Sequence, residues 1–156
     1  MSLQRWGHDV RKGYRTYDFI DVINQDDLGR RLPFPESNNI YGQLWYLLGT
    51  QESWLPRFRV GVWEGFGCSL NKYNLEDLNL PLIRASLQAV DEALLAALQH
   101  NDLLKLFTNE TLALGHYLRL AEHEALHQGQ LINFIYALNL PIPTSWADDW
   151  ALTRNS

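Results

Sequence analysis

His123 and His127 are the two residues of this chain best spaced to do chemistry together. On a helix, a spacing of four projects both imidazoles from one face, one turn apart, so both can reach a single metal ion. The same pair also reads as two core histidines hydrogen-bonded to packing partners, the commoner outcome for an isolated His-x-x-x-His. A metal site needs a third protein ligand. His116 stands two turns before His123, about 10 Å along the axis. That is too far to share an ion, so His116 lines a pocket or sits at a frayed helix start. His8 and His100 complete the histidine set. His100 fits a partner for a helix C-terminus.

The helix that must position the pair runs from about Thr108 or Asn109 to Leu138, roughly 45 Å at 1.5 Å per residue. One face carries Leu112, His116, Leu120, His123, His127, Leu131, Phe134 and Leu138. The histidines therefore lie on an apolar stripe. A second stripe, nearly opposite, carries Leu114, Leu118, Ala121, Ala125, Ile132 and Tyr136. A helix apolar on two faces packs on two sides, one of which suits a neighbouring subunit. Glu124 points about 100° from His123 and reads as solvated or at an interface. Gln130 lies on the histidine flank, where an amide can orient a ligand imidazole.

Three more helices are expected. The first covers about Leu3 to Ile23. The second starts from a Ser37 or Asn38 cap and runs to about Arg59, with Pro56 late in it. The third follows an Asn79 cap, carries Pro81 in its first turn, and ends near His100. Gly29, Pro33 and Pro35 make 28–36 a loop. Residues 61–78, with Gly61, Gly65 and Gly67, form a long irregular crossover. Asn139, Pro141 and Pro143 end the last helix, and the segment from Ser145 to Trp150 adds a short turn folding back. No segment reads as strand. The expected fold is all-α, a single-domain four-helix bundle over 1–156, with the long crossover between helices two and three.

Composition narrows the function. Of 156 residues, 13 are Lys or Arg and 18 are Asp or Glu, giving a net charge of −5 with no extended basic stripe. Nucleic-acid binding is not expected. No apolar run reaches the length of a membrane span, and no signal core precedes the first helix. The single cysteine, Cys68, forbids an intramolecular disulfide or a cysteine-cage zinc site and points to a reducing, cytoplasmic setting. Trp45, Trp54, Trp63, Phe66 and Tyr73 gather in helix two and the crossover. They wall an apolar pocket or cover the open end of the bundle. Gln43, on the same helix, offers a weak oxygen ligand or a partly buried amide.

The run Ala121-Glu122-His123-Glu124-Ala125-Leu126-His127-Gln128-Gly129-Gln130 resembles the last-helix motif of the DinB/YfiT-like superfamily. The tail from Leu140 to Trp146 and the segment from Gln43 to Gly49, followed by Trp54-Leu55 and Arg57-Phe58, are similar to that family too. The resemblance implies a four-helix bundle that forms a homodimer, and one divalent metal ion, nickel or zinc, held by three histidines. Two would be His123 and His127; the third position, on helix two, aligns with Tyr46. Tyrosine ligates iron as a phenolate, but it must lose its proton to do so, which makes it a poor ligand for a simple divalent ion. Tyr46 is otherwise a buried ring whose hydroxyl bonds to one of the two imidazoles. The resemblance further implies a metal-dependent hydrolase or a thiol-dependent transferase with an incomplete histidine triad, Gln43, His116 and Gln130 lining its pocket. The alternative is a metal-free module that binds a small molecule or dimerises without catalysis.

Overall fold

A computed structural model describes residues 14–100, 104 and 112–154. Among these the fold is all-helical, with one isolated bridge between Arg31 and Asn39 and no strand. Helix α1 spans Tyr14–Val22; the expected stretch before Tyr14 lies outside the described residues. The first part of the segment after it is not irregular. Asn24 opens a 3-10 turn over Gln25–Gly29, because its side chain and that of Asp27 cap each other's backbone N–H groups.

Helix α2 spans Ile40–Val60. Its cap is Asn39, one residue beyond the expected position, with Oδ1 accepting from the Gly42 N–H at 2.8 Å. Pro56 does not end it early. The helix closes at Gly61, whose φ of 78° is the left-handed conformation that glycine adopts without a steric penalty. Ile40, Leu44, Leu47, Leu48 and Phe58 form its buried face.

The crossover that follows contains two short 3-10 turns, Ser69–Lys72 and Leu75–Asp77. It is bonded along α2. Ser53 Oγ accepts from the Gly67 N–H at 2.9 Å and donates to the Gly67 carbonyl at 3.1 Å. The Ser69 N–H donates to Glu52 at 2.7 Å, and the Trp45 indole donates to Asn71 at 2.8 Å. Gly49 makes this approach possible, since a Cβ there would lie 2.6 Å from Phe66 and 3.1 Å from Cys68.

Helix α3, Leu80–His100, starts as expected, with Asn79 Oδ1 accepting from the Leu82 N–H at 2.9 Å. Gln25 ties this start to the first 3-10 turn, bonding Leu78 and Leu80. Helix α4, Ala113–Ala137, begins later than periodicity suggests, because Leu112 is extended and serves as its cap. Asn139, with φ of 55°, turns the chain out of it. Helix α5, Thr144–Trp150, is a true helix, and its fully buried Trp146 stacks on Phe19 at 5.5 Å. α2 packs against both α3 and α4, and α1 packs against α3 and α5.

Candidate functional site

α2 and α4 run antiparallel, and three contacts register them. Gln43 meets His127, Thr50 meets His123, and Trp54 meets His116. The two motif histidines converge. Their Nε2 atoms stand 3.2 Å apart, with ring centroids at 4.5 Å. His127 is buried and His123 half-buried.

The outer nitrogen of His127 is held as well. Nδ1 lies 2.7 Å from Gln43 Oε1. An amide oxygen only accepts, so Nδ1 carries the proton and donates, leaving the Nε2 lone pair facing His123. Gln43 is thus an orienting amide on the outer nitrogen, not an oxygen ligand beside the inner ones. At His123, the Thr50 hydroxyl lies 3.3 Å from Nε2. Burial pushes His127 down to about 4, with the neighbouring His123 pushing the same way and the nearby Gln130 amide opposing. Burial also lowers His123. Both imidazoles are therefore neutral at pH 7, the form in which they bind metals or accept protons.

Tyr46 does reach this place, but by its ring and not its hydroxyl. It stacks on His127 with centroids 6.3 Å apart and planes within 12°. It is 45% exposed, contrary to the expected buried ring, and its hydroxyl makes no hydrogen bond to either imidazole. The reason is its position at the rim of α2, where Trp45 and Phe66 flank it at 4.8 and 5.9 Å. Gln130 is half-buried one turn beyond His127; its Oε1 finds no hydrogen-bond partner among the described residues.

His116 belongs elsewhere. It is 1% exposed, edge-on to Trp54 at 5.4 Å, and two turns away from the pair. It is a buried residue of α4, neither a frayed terminus nor a wall beside the pair. Glu124 is also corrected. It is buried, accepting from Thr16 at 3.1 Å and from Gln128 at 3.2 Å, because α1 covers that side of α4.

Among the described residues, no three His, Cys, Asp or Glu side chains gather as one metal site. An open cavity of about 380 Å³ lies between α2 and the crossover, lined by Glu52, Ser53, Glu64, Phe66 and Cys68 among others. Of the aromatics expected to wall a pocket it includes Phe66, and it includes none of His116, His123, His127, Tyr46, Gln43 and Gln130. Burial pushes the Cys68 thiol up to about 11, so it is no nucleophile at neutral pH.

Thr50 is a contact of the pair that the sequence analysis did not single out. A signal was present: Gln43 and Thr50 are seven apart and share a helix face. Comparison with protein families, with curated proteins and with solved structures gives no match to this chain.

Proposed function

We propose that His123 and His127 hold one divalent ion, nickel or zinc, and that the chain is a metal-dependent hydrolase or thiol-dependent transferase of the DinB-like kind. The observation that carries this reading is the approach of the two Nε2 atoms to 3.2 Å. At this distance either His123 donates an Nε2–H to the lone pair of His127, or both nitrogens, once deprotonated, face one shared metal ion. Two nitrogens sharing one zinc ion at about 2.0–2.1 Å each stand roughly 2.9–3.4 Å apart. The bond from His127 Nδ1 to Gln43 adds support, because metal-ligating imidazoles nearly always donate their outer N–H. The four-helix bundle with 61–78 as its crossover belongs to the same proposal, supported by the packing of α2 on α3 and α4.

An ion held there would supply Lewis acidity toward a carbonyl, a water or a thiol. The chain's own residues do the rest. Gln43 fixes the tautomer of His127. Thr50 restrains His123. Tyr46 and Phe66, each 45% exposed, offer apolar surface to a substrate beside the pair. With two protein nitrogens, the remaining coordination positions fall to water or substrate.

Those exposed rings also favour a second reading, a metal-free pocket for a small apolar molecule. Elemental analysis of dialysed, tag-free protein separates the two. Near-stoichiometric nickel or zinc, lost in His127→Ala, is the expected result, and Tyr46→His is expected to tighten zinc binding. Protein that stays metal-free after loading with zinc or nickel overturns the metal reading in favour of the second.

A homodimer is part of the proposal, supported by Leu118, Leu126 and Tyr136 standing exposed along α4. Sedimentation at micromolar concentration is expected to give twice the chain mass; a monomer removes this part.

A further inference from the structure

Two turns along α4 from the histidine pair, the α2–α4 seam carries a different chemistry. Arg57, in the last turn of α2, lies over two indoles that meet edge-on at 6.4 Å, with Cζ 4.9 Å from the Trp54 ring centre and 5.5 Å from that of Trp63. Its Nε is sealed from solvent and has no hydrogen-bond partner among the described residues. Arg119, on α4 one turn from His116, is exposed. Among the described residues, neither arginine has a carboxylate within ion-pair distance. In a chain with net charge −5, that is a positive spot without a paired carboxylate among the described residues. Its field is felt at His116, lowered first by burial and then by the charges of Arg57 and Arg119.

We propose that Arg57, flanked by Trp54 and Trp63 and joined by Arg119, binds the carboxylate of a small aromatic acid. A guanidinium presents a planar fork of donors that matches a carboxylate. The two indoles hold that fork in one orientation, so a ligand oxygen arriving at the outer, Nη side of the half-buried guanidinium meets donors already in place. The apolar half of the ligand has its own contact. Trp63 is 43% exposed, and its neighbours in sequence, Val60 and Val62, are 63% and 52% exposed. An acid with an aromatic body covers this surface, whereas acetate or inorganic phosphate reaches only the charge. This site stands on residues separate from the imidazole pair and is independent of whether that pair holds a metal.

The test is titration of the whole chain with sodium benzoate, followed by the indole N–H signals in ¹H–¹⁵N spectra. Trp63→Phe assigns the Trp63 signal. Saturable shifts are expected at Trp54 and Trp63 and not at the tryptophans of α5. Arg57→Gln is expected to weaken binding by about tenfold or more, as for loss of a charged hydrogen bond. Arg119→Gln, at an exposed position outside the packing, is expected to weaken it several-fold with an unchanged melting temperature. That second variant keeps the test decisive if Arg57→Gln does not fold. Absence of saturable shifts, or equal affinity in the arginine variants, overturns the site. Acetate or phosphate binding as tightly as benzoate overturns the aromatic half of the proposal.

Discussion

Trp146→Ala is expected to cost about 3–5 kcal/mol of stability, in line with deletion of large buried aromatic side chains. For a chain of this size that is roughly 10–15 °C in melting temperature. The side chain is 0% exposed, stacks on Phe19 at 5.5 Å and meets Trp150 edge-on at 4.9 Å. It is the residue through which α5 docks on α1. Removing it leaves a cavity among rings that cannot collapse together without moving the helix. Trp146→Phe should recover part of the loss. Chemical denaturation checks both, and a cost below about 1 kcal/mol for alanine would mean that α5 lies outside the cooperative core.

The second large effect is acid sensitivity of the metal-free protein. His127 is held down at about 4 by burial and by His123, against an ordinary value of 6.5. Between those two values the unfolded chain takes up a proton that the folded chain refuses. Stability is therefore full above the ordinary value, falls as pH drops toward 4, and levels off below it. At about 1.4 kcal/mol per unit, the loss assigned to this residue is on the order of 3 kcal/mol. His123 and His116 are also lowered, so their contributions have the same sign. His127→Asn keeps a donor near the Gln43 oxygen but does not titrate. Melting temperature followed from pH 7 to 4.5 in the presence of a chelator should fall much less in this variant than in the parent. Parallel curves would mean that the folded protein accepts the proton at His127 readily.

How much of this was legible in the residues differs from element to element. Asn79, Gly61 and Asn139 mark helix ends by local chemistry, a side-chain cap or a left-handed turn, and local chemistry can be read from sequence. The convergence of His123 and His127 follows from helix geometry alone. The role of Gln43 needed the register between two helices whose contacting residues lie 84 apart in sequence, which no local pattern carries. Glu124 was misplaced for the same reason. Its polar character suggests solvent, yet Thr16 on α1 and Gln128 one turn on give it bonds inside the protein. Tyr46 shows the converse: its position beside the pair could be aligned, but its tilt is set by Trp45 and Phe66, and Phe66 arrives from the crossover.

The two hydrogen bonds between Ser53 and Gly67 have a consequence for motion. A loop held only by side-chain contacts opens at low cost, independently of the elements it covers. Here a main-chain N–H and C=O of the crossover are both satisfied by one hydroxyl on α2, and opening the loop exposes all three polar groups at once. The segment around Gly67 therefore fluctuates with the helix, as one cooperative unit. Phe66, next to it and 5.9 Å from Tyr46, moves with α2, so the two exposed rings keep one arrangement.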